Sequence, residues 1–457
     1  MARLDDNVVA KQGTQMTRTA PSATPRREFL RWAAGAAAFG PFFLFPDRAL
    51  ASQKTLKIAK WAHFLPEFDQ WFVNVMSAEW GKQNDTKVTV DLIPVEQIRD
   101  RAFAEVKSGT GHDLFIFPWP PAECCEHVID HQQIYQAVAG RVGTIQQLAH
   151  RSTLNFKTKT YFAFADFWIP SPLHFFEDYW GKIGMPLGPT HYGALLGGGK
   201  KIREEFGAPL GLAFSPTLEG NVTLHTMLYA LRAWIFDGDN LLFNKNGFAA
   251  QALKYIQSLY QSSGNPEQLT WGPGGNVRAM LARKTSCSIN GISLLRTAEK
   301  ESPEAAKEIR LQPPLQGKNG MGVTALPHVT NCSAIWKFAQ NEEGAKKFVG
   351  DLVDSSQTGY EQSKGCNLPI YPKTLPDFIV RIEKSSLYKY LPLKDALHWT
   401  PNLGAPGMAN PAFMEIFNSS VVPRMVAKVL KGEQSAEEAA SAGAQEMQRI
   451  VDKWKQI

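Results

Sequence analysis

The segment Leu56-Lys57-Ile58-Ala59-Lys60-Trp61 opens the stretch of chain that decides the fold. Polar and apolar residues alternate in it, which predicts a β-strand. The large apolar residues that follow recur at helical spacing and are Phe68, Phe72, Met76 and Trp80. This spacing predicts a helix that ends at Asn84-Asp85.

The same pattern continues beyond this helix. Residues 89–95 predict a second strand, residues 97–107 a second helix, and the apolar run Asp113-Leu114-Phe115-Ile116-Phe117 a third, buried strand. Strand, helix, strand, helix, strand predicts a parallel sheet covered by helices on both faces, and so an α/β fold.

The rest of the chain predicts mainly helices. These are expected over 219–234, 246–260 and 276–284, after Asn341 and after Ser435, with a strand over 285–290. Trp80 and Trp336 fall in regular patterns and are predicted to be core residues. The run Gly197-Gly198-Gly199-Lys200 lacks the spacing of a phosphate-binding loop and is interpreted as a flexible turn.

The N-terminal segment predicts export. Arg26-Arg27 precede a short apolar stretch over 32–45 that ends at the small residues Ala49-Leu50-Ala51. These are the parts of a twin-arginine signal peptide over 1–51, which places the protein in the periplasm. A membrane anchor is the alternative, but about 14 apolar residues are fewer than the roughly 20 that span a bilayer.

Size, charge and cysteine content narrow the class of protein. The 406 residues from Ser52 onward exceed a single hydrophobic core, so two lobes are expected. Residues 1–51 account for +3 of the net charge of +6, and the small remainder argues against nucleic acid as a partner. The cysteines follow no metal-binding spacing and are Cys124, Cys125, Cys287, Cys332 and Cys366. We expect no metal and no cofactor, and a disulfide in the periplasm stays open.

Four groups of segments carry a resemblance to a known family. They are 56–61 with 111–115; 239–244 with the helix over 250–260; Arg278-Ala279-Met280 with Ser288-Ile289-Asn290-Gly291; and 341–352 with Ser355-Ser356-Gln357 and Asn367-Leu368-Pro369. Taken in this order, they resemble the extracellular solute-binding proteins of ABC importers, specifically the sugar-binding family that includes maltose-binding protein.

The resemblance implies a two-lobed periplasmic-binding-protein fold of type II, in which hinge strands join α/β lobes and the ligand binds in the cleft between them. It places lobe 1 at 52–163 plus 317–370 and lobe 2 at 164–316 plus 371–457. It also implies a monomer that delivers its ligand to the transmembrane subunits of an ABC permease.

Two departures from the family concern the ligand. Ile292-Ser293 stand after Gly291, where relatives often carry a tryptophan that stacks on a sugar ring. Phe175-Phe176-Glu177-Asp178 stand where relatives have Tyr-Asn-Lys. The ligand therefore cannot be transferred from a relative.

A sugar site combines aromatic rings for C–H faces with polar side chains for hydroxyl groups. Such side chains are expected where strands end at the cleft. The candidate ligand-binding residues are Trp61, His63, Trp119, Asp166, Trp168, Glu219, Asn221, Trp271, Asn290 and Trp399. For each of them, packing in the core is the alternative interpretation.

The expected function is capture of a carbohydrate, either an oligosaccharide or a derivative, for an ABC importer, without catalysis. A polyol or another small polar metabolite is the alternative ligand. An exported carbohydrate-active enzyme and a ligand-loaded co-sensor for a receptor kinase are alternatives from other classes. The chain has no GxSxG and no HExxH motif, so no catalytic residues are expected.

Overall fold

A computed structural model describes residues 54–238, 240–317, 324–384 and 388–456. The predicted signal at 1–51, with its arginine pair Arg26-Arg27, lies outside the described residues, as does Asp239. Within the described ranges, the structure contains no helix with both the length and the apolar character needed to cross a membrane.

The strands are β1 Lys54–Trp61, β2 Thr86–Ile93, β3 Leu114–Phe117, β4 Phe164–Ile169, β5 Leu173–Phe176, β6 Phe236–Asp237, β7 Asn240–Leu241, β8 Cys287–Ile289, β9 Ile309–Gln312, β10 Val329–Ile335 and β11 Leu368–Pro369. The helices are α1 Pro66–Trp71, α2 Ala78–Gln83, α3 Ile98–Ser108, α4 Gln132–Val142, α5 Gln147–Thr153, α6 Glu177–Lys182, α7 Tyr192–Phe206, α8 Leu218–Ala230, α9 Phe248–Ser263, α10 Gly275–Leu281, α11 Ser293–Glu301, α12 Pro303–Glu308, α13 Glu342–Leu352, α14 Ser356–Gln362, α15 Leu375–Lys384, α16 Ala396–Trp399, α17 Pro411–Asn418, α18 Val421–Leu430 and α19 Ala436–Lys455.

The larger sheet has six strands in the order β11-β4-β10-β3-β1-β2. β1 pairs in parallel with β2 and β3, which confirms the predicted opening of the chain. The strand β10 is antiparallel to both neighbours and lies between β3 and β4, although it follows β3 by more than 200 residues. The centre of this sheet is therefore completed by a distant segment.

The buried carboxylate of Asp113 connects segments of this sheet through hydrogen bonds. Asp113 Oδ2 accepts a hydrogen bond from the backbone N–H of Lys57 over 2.8 Å. Its Oδ1 accepts from the N–H groups of Gln340 and Asn341 over 2.6 and 2.9 Å. Asp113 thus joins the start of β3 to β1 and to the first turn of α13.

The smaller sheet has the antiparallel order β8-β5-β9. We call the six-stranded sheet with α1–α5, α13 and α14 lobe 1, and the three-stranded sheet with α6–α12 and α17–α19 lobe 2. The chain passes from β4 to β5 through only Pro170, Ser171 and Pro172. The predicted boundary at 163/164 therefore falls at the start of a lobe 1 strand, and the strand pairing places the crossing after Ile169.

The interpretation of residues 197–200 as a flexible turn is wrong, because this run lies inside α7. A Cβ atom on Gly198 would lie 2.5 Å from the ring of Trp180, and one on Gly199 would lie 2.8 Å from Leu210. Close packing against Trp180 and Leu210, not a turn, explains why glycine stands at positions 198 and 199. Trp80 and Trp336 are buried, as predicted.

Candidate functional site

The two lobes touch at several points along their facing edges. The ring of Trp119, just after β3 in lobe 1, meets Phe417 of α17 edge-on at 5.9 Å. Asn418 Nδ2, also on α17, donates to Glu123 Oε2 of lobe 1 over 2.5 Å. These two contacts place Trp119 at the boundary of the lobes.

On the lobe 1 side, three of the strands contribute to one hydrogen-bonded row. Trp61 Nε1 at the end of β1 donates to Asn331 Oδ1 on β10 over 2.7 Å. Asn331 Nδ2 donates in turn to Asp166 Oδ1 on β4, also over 2.7 Å. The structure thus brings together the predicted residues Trp61 and Asp166 through a residue that the sequence did not indicate.

A second polar group adjoins this row. Lys60 is almost fully buried and forms a 2.6 Å ion pair with Asp69 Oδ1, and it also donates to the carbonyl of Trp61. Asp69 Oδ2 accepts from the N–H of His63, whose Nε2 lies 2.9 Å from Asn367 Oδ1. The predicted residue His63 is therefore held rigidly from both sides.

Burial governs the titration of these groups. It raises the pKa of Asp166 to about 6, against the opposing effects of Asn331 and Lys60. It lowers the pKa of His63 to about 4 and, despite the neighbouring Asp69, also lowers the pKa of Lys60. At neutral pH His63 is therefore uncharged, and Asp166 is mostly deprotonated.

On the lobe 2 side, the first turn of α8 carries two of the predicted residues. Glu219 is buried, and its Oε1 accepts from the N–H of Gly274 over 2.9 Å. Asn221 Nδ2 donates to Ser420 Oγ over 3.1 Å, and its Oδ1 has no partner among the described residues. A helix N-terminus favours a carboxylate such as Glu219.

Two further predicted residues lie close to this turn. Trp271 is half-buried in the loop that leads to Gly274, and it packs against Gly275 at the start of α10. Asn290, at the end of β8, donates to Asn276 Oδ1 over 3.2 Å. The loop and α10 therefore bring Trp271 and Asn290 to the same side of lobe 2 as Glu219.

The predicted tryptophans fall into two groups. Trp61, Trp168 and Trp399 are at most 5% exposed, so each ring is covered by protein on both faces in this conformation. The indole N–H groups of Trp168 and Trp399 have no hydrogen-bond partner among the described residues. Trp119 and Trp271 are half-buried, so part of each residue is accessible to solvent.

Sequence reasoning missed Lys60, Asn331 and Asn367. Lys60 falls on the same strand face as Leu56 and Ile58, and this was a usable signal because an unpaired buried ammonium group is costly. Asn331 and Asn367 gave no such signal, since their partners Asp166 and His63 are distant in sequence.

The arrangement suits hydroxylated ligands, because it offers buried carboxylate and amide groups beside half-buried aromatic rings. Among the described residues, no three His, Cys, Asp or Glu side chains are grouped so as to hold a metal ion. In the same residues all five cysteines are free thiols.

Comparison with known proteins gave matches to structures only. No protein-family model matches the chain. No curated protein matches it either.

Solved structures with the same fold include a sugar transporter from Arthrobacter chlorophenolicus A6 with bound laminaribiose. The TM-score is 0.74 and the identity 15%, over 86% of this chain and 99% of the other. An ABC transporter solute-binding protein from Thermotoga lettingae TMO bound with α-D-tagatose gives a TM-score of 0.72 at 17% identity, over 87% of this chain and 100% of the other.

A third structure, an ABC transporter solute-binding protein from Agrobacterium radiobacter K84 in complex with ribitol, gives a TM-score of 0.69. The identity is 16%, and the match covers 87% of this chain and 98% of the other. The chain therefore has the two-lobed α/β fold of type II periplasmic binding proteins, as predicted.

Proposed function

We propose that this protein is the substrate-binding component of an ABC importer and that it captures a carbohydrate between its lobes. The observation that carries the proposal is the contact of the half-buried Trp119 of lobe 1 with Phe417 of lobe 2, in a fold shared with ligand-bound binding proteins. Closure around the ligand would present the loaded form to the permease.

Carbohydrate and polyol ligands are both supported by the neighbouring structures. One of these binds laminaribiose and another binds ribitol, at nearly equal similarity to this chain. The absence of a tryptophan after Gly291 removes one aromatic platform and favours a shorter or less ring-rich ligand than an oligosaccharide. We therefore keep a polyol as the second candidate.

The test is a thermal-shift screen of the purified protein against mono- and oligosaccharides, polyols, polyamines and amino acids. A ligand that binds only the folded state raises Tm by mass action. A shift with one class of carbohydrate or polyol supports the proposal and identifies the ligand. No shift with any of them refutes it, whereas chemical conversion of the ligand indicates an enzyme.

Trp119→Ala tests the position of the site. We expect ligand affinity to fall by about tenfold or more, because an aromatic contact worth about 1.5 kcal/mol corresponds to that factor. Trp234→Ala is the matched control, since Trp234 is also half-buried but lies beyond the C-terminal end of α8. Equal affinity of both variants would remove Trp119 from the site.

Export by the twin-arginine route is tested separately. Arg26→Lys combined with Arg27→Lys should leave the protein in the cytoplasm, because the route depends on the arginine pair. Arg18→Lys is the control, since it changes an arginine outside the pair. Periplasmic location of the double variant would show that another export route is used.

A further inference from the structure

Lobe 1 contains a pocket of its own, about 40 Å³ in volume, that opens between α1 and α14. Its walls include Phe68 and Trp71 of α1 and Tyr360 of α14, and its floor is formed by Lys60, Asp166 and Asn367. The other residues that surround it also belong to lobe 1. The pocket is therefore formed without any contribution from lobe 2.

The floor of the pocket carries hydrogen-bonding groups that the protein does not satisfy. Asn367 is 3% exposed, and its Nδ2 has no partner among the described residues because only its Oδ1 is engaged by His63. Lys60 Nζ uses two of its three N–H groups, on Asp69 and on the carbonyl of Trp61. Unsatisfied buried donors cost about 1–3 kcal/mol each, so the floor is suited to bind a polar group.

The acceptor on the floor is Asp166. Asn331 donates to its Oδ1, and no Lys, Arg or His in the described part of the chain lies within salt-bridge distance of it. Burial raises the pKa of this carboxyl group to about 6, so folding is opposed by its charge at neutral pH. A group retained at a cost in stability is often functional.

The combination of groups offers donors and an acceptor side by side. An anion would be repelled by the carboxylate of Asp166, since the charge of Lys60 is already compensated by Asp69. A hydroxyl group both donates and accepts, so it can bond to Asp166 and to Asn367 Nδ2 at once. The rings of Phe68 and Trp71 offer apolar surface for the attached C–H groups.

We infer that lobe 1 holds a second ligand site, the pocket floored by Lys60, Asp166 and Asn367, which binds a hydroxymethyl group of a small neutral polyol. The volume admits a group of only a few heavy atoms, not a whole sugar ring. Because lobe 1 alone forms the pocket, occupation requires no closure of the lobes. The pocket shares Lys60, Asp166 and Asn367 with the lobe 1 side of the candidate site, but Trp119 does not line it, so the two sites can be tested separately.

The test uses the purified protein labelled with 5-fluorotryptophan and titrated with glycerol and then with ribitol. Trp71 lines the pocket and reports on it, whereas Trp271 of lobe 2 reports on the interlobe site. Both ¹⁹F resonances are assigned by Trp→Phe variants. We expect the Trp71 resonance to move saturably with glycerol.

Gly359→Leu is the blocking variant. A Cβ atom at Gly359 would lie 3.7 Å from both Phe68 and Trp71, so a leucine fills the space between the walls. Gly197→Leu is the matched control, since Gly197 is also inside a helix but has no atom within 4 Å of such a Cβ. We expect the response of Trp71 to be lost in the first variant and retained in the second.

Two results would overturn the inference: a Trp71 resonance that neither polyol moves, or a response that persists in Gly359→Leu. Loss of ¹⁹F dispersion would show that this variant misfolds, and Ser356→Leu at the rim of the pocket then takes its place. Movement of Trp271 without Trp71 would support the proposed function and reject the pocket. Movement of Trp71 alone would support the pocket, and the proposed function would still be decided by the thermal-shift screen.

Discussion

Asp166→Asn should stabilise the protein at neutral pH. Burial raises the pKa of this carboxyl group from 3.8 to about 6. A difference of roughly two units corresponds to about 3 kcal/mol of unfolding free energy. Asparagine keeps the shape of the side chain and can still accept the hydrogen bond from Asn331, but it carries no charge.

The stability gained by Asp166→Asn should increase as the pH rises. Because the pKa is higher in the folded state, the folded chain holds a proton between about pH 4 and pH 6 that the unfolded chain has released. The penalty therefore grows as the pH rises through this range and is complete above about pH 7. We expect the gain of the variant to be about 3 kcal/mol there and about half of that near pH 5.

The assay is urea unfolding of both proteins at several pH values from about 5 to about 8, followed by tryptophan fluorescence. Asp100→Asn is the control, because the side chain of Asp100 is 86% exposed and should show little change. A variant that is no more stable than the parent at neutral pH, or a gain that does not shrink toward pH 5, would refute the reasoning.

Three further predictions concern lobe packing and titration. Gly199→Ala should destabilise the protein by clashing with its neighbour, whereas Gly197→Ala in the same helix should stabilise it by about 0.5–1 kcal/mol, both measured by urea unfolding. Asp113→Ala should lower the unfolding free energy by about 3 kcal/mol or more, since three backbone donors lose their acceptor; an unchanged urea midpoint would contradict this. Burial opposes the charge of His112, but the carboxylates of Glu105 and Asp91 together outweigh it and raise the pKa of the imidazole. An NMR titration should therefore show a pKa above 6.5 that falls in Glu105→Gln, and the stabilisation from this pair should be lost as the pH rises through that value.

The sequence predicted the first half of lobe 1 well, because residues 54–117 are held by local periodicity and sequential parallel pairing. It did not predict the insertion of β10 between β3 and β4, since strand order is set by contacts between distant segments. The prediction of a flexible turn at the glycine run of α7 was wrong for a related reason. Its helical state depends on packing against Trp180 and Leu210, which overrides the low helix propensity of glycine.

The candidate site was predicted by residue type more than by position. Asp166 and His63 were identified as polar residues near strand ends, and the structure places both beside buried partners. Lys60 and Asn367 were missed because their roles depend on hydrogen-bonding partners that are close only in the folded structure. Whether Trp119 and Glu219 contact a ligand stays a prediction.

The position of β10 has a consequence for synthesis of the protein. Once the ribosome has translated β4, both β3 and β4 exist, but β10, the strand that separates them in the sheet, is made only about 160 residues later. The nascent chain must therefore keep two unpaired strand edges apart until residue 335 leaves the exit tunnel. Lobe 1 is the first part to be synthesised, yet its sheet closes only after β5, β8 and β9 and the helices α6–α12 of lobe 2 have been translated.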